Sequence, residues 1–127
     1  MFLQVAVGIL QNAAGEILIA ERPKQKYKGG LWEFPGGKIE PNETAFQALQ
    51  RELQEELGIQ VIAAESWLQY QHDYIDRQVS LNIWRVTEYV GEPSGAEGQA
   101  VRWVPVNGLS QYNFPEGNQI ILAKMLE

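Results

Sequence analysis

Between Thr44 and Gly58 the chain marks both ends of a helix, and no other segment constrains the fold as much. Thr44 and Gln47 have the spacing of a capping box. Ala45, Leu49, Leu53 and Leu57 recur at every fourth position as an apolar stripe, and Gly58 supplies the stop. A helix with one apolar stripe has to bury it against another element. Strand-forming segments on either side offer that partner. Residues 2–10 and 16–21 are rich in strand formers and are separated by Gln11-Asn12-Ala13-Ala14-Gly15, so they read as a hairpin. Leu31 to Phe34 reads as a short strand ending at Pro35-Gly36-Gly37, where paired glycines let the backbone turn tightly or approach a ligand closely. Ile59 to Tyr70 and Gln78 to Tyr89 read as longer strands around the polar segment Gln71 to Arg77. Ala100 to Val104 reads as another, after a loop, Gly91 to Gly98, that carries Glu97. A last helix is expected from about Glu116 to Leu126, with Ile120, Ile121 and Met125 as its apolar face. Nothing repeats and no composition shift marks a boundary, so residues 1–127 are expected to form one α/β domain, a sandwich with a mixed sheet. A chain of 127 residues can bury about two thirds of its unfolded surface in such a core.

Composition narrows the function. There is no cysteine and a single histidine, His72, which excludes a disulfide scaffold, a thiolate zinc site, a cysteine nucleophile and a multi-histidine metal centre. Any metal held by this chain must be bound by oxygen. Sixteen acidic residues against ten basic ones give a net charge of −6 and an isoelectric point near 4.8. That balance argues against polymeric nucleic acid or an anionic membrane as a partner, since both need a basic face. A small anion that brings its own cation fits. The amino terminus lacks a basic region of the signal-peptide kind and no apolar run approaches the ~20 residues of a membrane span, so the protein is expected to be cytoplasmic.

At about 100° per residue, Glu52, Glu55 and Glu56 fall on one edge of the 44–57 helix, beside its apolar stripe. Like charges at these spacings destabilise a helix, and Arg51, its one basic residue, cannot neutralise all three. A bound divalent cation would resolve the conflict, and carboxylates without imidazole or thiolate suit Mg²⁺ or Mn²⁺. A solvated acidic face would look the same on helix pattern alone.

The strand before the helix separates these readings. The full run, Gly37-x5-Glu43-x7-Arg51-Glu52-Leu53-x-Glu55-Glu56-x-Gly58-Ile59, resembles the Nudix box, G-x5-E-x7-R-E-U-x-E-E-x-G-U with U aliphatic, at every specified position between 37 and 59. The likeness extends to Ala6-Val7-Gly8-Ile9, Glu33 to Glu40, Asp76-Arg77, Gly91-Glu92-Pro93, Glu97-Gly98-Gln99 and Phe114-Pro115-x-x-Asn118, which look like the branch of 8-oxo-dGTP diphosphatases. The resemblance implies a Nudix α/β/α sandwich and Mg²⁺-dependent hydrolysis of an oxidised purine nucleoside triphosphate to monophosphate and pyrophosphate, which keeps damaged precursors out of replication. It implies metal ligands at the Gly36 carbonyl, Glu52, Glu55, Glu56 and Glu97, with either Glu52 or Glu97 as general base and Arg51 orienting a box glutamate. Glu43 is expected to support that arrangement rather than to ligate.

The same resemblance implies substrate contacts at Arg22, Tyr27, Glu33, Phe34, Pro35, Gly36, Lys38 and Asn118. Tyr27 stands where the best-known bacterial member has a histidine. Five of the ten basic residues, Arg22, Lys24, Lys26, Lys28 and Lys38, lie between positions 22 and 38 and read as a local phosphate funnel or, for the three lysines from 24 to 28, as a solvated loop. Asn118 could instead be a helix N-cap, a position that Asn favours. The expected partner is a small nucleotide and the expected state a monomer. Two other functions are carried: a pyrophosphatase for another nucleotide such as (d)CTP, since Gly30 to Phe34 resembles that branch, and a non-catalytic 8-oxoguanine recognition module, which an intact box disfavours.

Overall fold

The computed structural model describes residues 2–22 and 30–127. Among the described residues, seven strands form two sheets. The first has the order β4–β1–β6–β5, from β1 (Phe2–Ile9), β4 (Gly36–Lys38), β5 (Gln60–Asp73) and β6 (Gln78–Val90); the second has the order β3–β2–β7, from β2 (Glu16–Glu21), β3 (Trp32–Glu33) and β7 (Val101–Pro105). Strand β1 runs parallel to β6 and antiparallel to β4, so the first sheet is mixed, as expected.

The helix α1 (Ala45–Leu57) follows its sequence signals closely. Thr44 accepts from the Gln47 backbone N–H while the Gln47 side chain accepts from the Thr44 N–H, and Gly58 adopts the left-handed conformation at φ 71°. Its buried face is Ala48, Leu49, Leu53 and Leu57; Ala45 lies at the margin. This face packs with Ala6, Leu10 and Leu18 into one core. A side-chain carbon on Gly8 would come within 3.1 Å of Leu49 and Leu53, which is how closely α1 sits on β1. Val7, Ile9, Ile17 and Ile19 point the other way. They build a second core with Ile83, Phe114, Leu109 from a 3-10 helix (Val106–Gln111), and Ile121 from α2 (Gln119–Met125). Alternate residues of the same strands thus feed two cores, the period-2 rule at work in a sandwiched sheet.

Four expectations need correction. Residues 2–10 and 16–21 are not a simple hairpin: the chain does reverse over 11–15, with the Leu18 N–H donating to the Leu10 carbonyl, but β1 and β2 then part into different sheets. Gly36 and Gly37 do not form a turn. The chain changes sheet at Pro35, whose carbonyl accepts from Gly8 N–H at 2.8 Å, and the two glycines open β4, paired to Val7 and Ala6. The segment 71–77 is largely strand, because β5 continues to Asp73 and reverses only over Tyr74 to Arg77. The last helix begins later than expected: Glu116–Asn118 is a 3-10 turn, α2 covers Gln119–Met125, and Ile120 is exposed.

At Gly36 the backbone has φ 153°, and a side-chain carbon would fall on the Ala6 carbonyl. Gly15, at φ 82°, has nothing nearer than 3.9 Å. Gly36→Ala should therefore cost about 3 kcal/mol or more, and Gly15→Ala only about 1–2 kcal/mol, the ordinary cost of the left-handed region. Equal losses in urea denaturation would contradict this packing.

Candidate active site

The cleft is assembled from segments far apart in sequence. It has a volume of about 480 Å³, and its walls come from β1, β3, β4, the turn at Tyr74 to Arg77, the loop at Glu97 and the residues just before α2. Among the expected site residues, Arg22, Glu33, Phe34, Gly36, Lys38, Glu56, Glu97 and Asn118 line it, and Pro35 is buried behind. Tyr27 and Lys24, Lys26 and Lys28 lie outside the described residues.

The acidic side is set by the contact of α1 with β4. At Gly37 the Glu52 carboxylate occupies the space that a side-chain carbon would take, and the Gly36 N–H donates to Glu56 Oε1 at 3.2 Å. Glycine therefore admits two carboxylates of α1 onto the strand. Glu56 is largely shielded from water, with Glu33, Glu52 and Glu97 around it. Burial first, and then the neighbouring negative charges, push its carboxyl up to about 9. In the metal-free protein Glu56 is thus protonated at neutral pH.

Arg51 does more than pair with Glu55. Its guanidinium donates to Glu43 at 2.7 and 3.0 Å, to Glu52 Oε2 at 2.8 Å and to the Lys38 carbonyl at 2.9 Å, while Glu55 lies 3.6 Å away and is half-exposed. The fork joins the start of α1, its acidic edge and the end of β4 in one network. The hydrogen bonds from Arg51 hold the Glu43 carboxyl down to about 2. Glu52 is thereby fixed against Gly37, whereas Glu55 faces outward beside Arg51 and does not line the cleft.

Among the described residues, no group of three His, Asp or Glu side chains is gathered tightly enough to hold an ion as it stands. The residues nonetheless fit a hard divalent cation. The donors are all oxygen, Glu52 and Glu56 lie one helical turn apart, and Glu56 is buried among the negative charges of Glu33, Glu52 and Glu97.

Gln99 lines the cleft, and sequence reasoning left it without a role. Its Nε2 donates to the Glu56 carbonyl at 2.8 Å, and its Oε1 accepts from the Glu97 N–H at 2.9 Å, so one side chain ties the Glu97 loop to the last turn of α1. Only its place beside Glu97-Gly98 hinted at this. On the other side, Phe34 stacks on Phe114 at 5.1 Å and serves both core and cleft. Arg22 pairs with Glu33 at 3.2 Å. Asn118 is half-buried and occupies the N-cap position of α2, as the alternative reading had it, but its side chain makes no capping hydrogen bond.

Residues 6–124 match the family model for the NUDIX domain. The chain is 42% identical to the 8-oxo-dGTP diphosphatase of Escherichia coli K12, over 97% of this chain and 95% of that protein. It is 40% identical to the CTP pyrophosphohydrolase of the same organism, over 87% of this chain and 81% of that one. A solved structure from work on MutT of Aliivibrio salmonicida and Vibrio cholerae superposes with a TM-score of 0.85 at 38% identity, covering 98% and 96% of the two chains.

The Glu56 carboxyl is raised in the folded state, so the stability it contributes is present below its ordinary value of 4.5 and is lost as pH rises towards about 9. Metal-free protein should lose thermal stability across that window. Mg²⁺ or Mn²⁺ added at pH 7.5 should release up to about one proton per protein. Calorimetry in buffers of different ionisation enthalpy measures that release, and Glu56→Gln should abolish it. Binding without proton release in the parent protein would contradict the assignment.

Proposed function

The chain belongs to the NUDIX domain family, and from that membership we propose that it hydrolyses 8-oxo-dGTP to 8-oxo-dGMP and pyrophosphate. One observation carries the reading: Glu56 of α1 shares a single cleft with the cationic side chains of Arg22, Lys38 and Arg77 and with the Asn118 amide, which makes no capping hydrogen bond.

NUDIX hydrolases generally use divalent metal; we assign Mg²⁺ here, held by Glu52, Glu56, Glu97 and the Gly36 carbonyl, with Glu55 at the margin. When bound, it supplies positive charge against the triphosphate. The chain's own residues do the rest. Arg22 and Lys38 line the cleft and neutralise phosphate charge. The Arg51 fork keeps Glu52 against β4. A carboxylate oxygen of Glu52 or Glu97 takes the proton of the attacking water, and no protein nucleophile is required. Phe34 offers an apolar face to the base.

Asn118 reads the base. An amide presents a donor and an acceptor side by side, and 8-oxoguanine presents the O6 acceptor beside an N7–H donor. In guanine N7 is itself an acceptor, so the amide oxygen would face a lone pair. A site built for a donor can reject the analogue lacking it by up to roughly 10⁴. The substrate is the free nucleotide of the cytoplasm, handled by a monomer.

The relative with CTP pyrophosphohydrolase activity supports a second reading, in which a cytidine nucleotide fills the same cleft. A panel of 8-oxo-dGTP, dGTP, CTP and dCTP assayed with Mg²⁺ distinguishes the two by monophosphate release. We expect the highest kcat/KM for 8-oxo-dGTP. Asn118→Ala should lower its ratio over dGTP by at least tenfold, with a change in Tm of only a few degrees. A preference for CTP, or an unchanged ratio with a lower Tm, would contradict the reading.

A further inference from the structure

The peptide just before Asn118 is gripped from both sides. The Tyr74 hydroxyl accepts from the Gly117 N–H at 3.0 Å, and the Tyr70 hydroxyl donates to the Gly117 carbonyl at 2.5 Å. Tyr70 lies on β5 and Tyr74 at the turn that follows, more than forty residues away along the chain in each case. The Asn118 N–H in turn donates to the Pro115 carbonyl at 2.9 Å. Three hydrogen bonds thus fix the backbone that aims the Asn118 side chain. The segment itself is a short 3-10 turn leading into a seven-residue helix, and elements of that length hold no orientation by themselves.

Gly117 is built into the grip. It is buried, and a side-chain carbon there would lie 2.5 Å from the Tyr74 hydroxyl and 3.4 Å from His72. Burial pushes the Tyr70 phenol above its usual range, which keeps it protonated as a donor. Neither hydroxyl is needed for packing, since a phenylalanine ring fills the same space. The hydroxyls act on one peptide group, and that group precedes the residue that reads the base.

We propose that Tyr70 and Tyr74 are positioning residues for base selectivity, clamping the Gly117 peptide so that the Asn118 amide meets the oxidised base in one orientation. The proposal rests on the reading of Asn118 given above. A preorganised donor and acceptor discriminate well; the same amide on a loose backbone adjusts to either base and discriminates poorly.

Tyr70→Phe and Tyr74→Phe test the clamp in steady-state assays with Mg²⁺. Each should lower the kcat/KM ratio of 8-oxo-dGTP over dGTP by roughly 3- to 10-fold, the loss of one net hydrogen bond expressed as a rate ratio. The loss should reside in the KM of the oxidised nucleotide rather than in kcat. Combined with Asn118→Ala, neither change should lower the ratio further. Should a phenylalanine variant fail to fold, Gly117→Ala displaces the Tyr74 hydroxyl and should produce the same loss. Unchanged ratios with a lowered Tm, or effects fully additive with Asn118→Ala, would overturn the clamp while leaving the role of Asn118 intact. An unchanged ratio in Asn118→Ala alone would overturn both.

Discussion

At Gly36 and Gly37 the backbone of β4 comes so close to β1 and to α1 that side chains are excluded on both sides, by the Ala6 carbonyl and by the Glu52 carboxylate. The acidic site depends on this approach. Because there is no Cβ at Gly37, Glu52 reaches the strand; because Gly36 leaves its N–H unused by β1, Glu56 can accept from it. The Arg51 fork closes the arrangement by gripping Glu43, Glu52 and the Lys38 carbonyl together. The box residues are thus two interlocked devices. One is steric, the glycine pair. The other is electrostatic, the arginine and its carboxylates.

The electrostatic consequence is concentrated at one atom group. Glu43 and Glu52 have a cation beside them, whereas Glu56 is buried with negative neighbours and keeps its proton up to about pH 9. A buried carboxyl in this state costs stability whenever it ionises. Proteins retain such groups where a ligand's charge compensates them, and the oxygen-only donor set makes a hard cation the fitting ligand.

Much of this is legible in the sequence, for reasons that can be named. Helix α1 can be read because its cap, stripe and stop are local signals within fifteen residues, and the observed capping box and the left-handed Gly58 reproduce them. The four-residue spacing of Glu52 and Glu56 is enough by itself to place both on one helix edge. Elsewhere the determinants are long-range. Alternation of apolar residues in 2–10 and 16–21 fits a hairpin as well as two strands of different sheets, and only pairing with β4, β6 and β7 decides. Gln71 to Asp73 are strand despite their polarity because the ladder with Gln78 to Ser80 holds the backbone of an edge strand while its side chains reach water. The 3-10 helices lack a periodic signature altogether. Gln99 and the two tyrosines act through backbone groups, and residue spacing carries no trace of such contacts.

The contact of α1 with β4 brings Glu52, Glu56 and the Gly36 backbone together, and a divalent cation is expected there. Anomalous diffraction from crystals soaked in Mn²⁺ tests it most directly. One strong peak is expected at coordination distance from Glu56, Glu52 and the Gly36 carbonyl. A peak at another acidic surface with none beside Glu56 would contradict it.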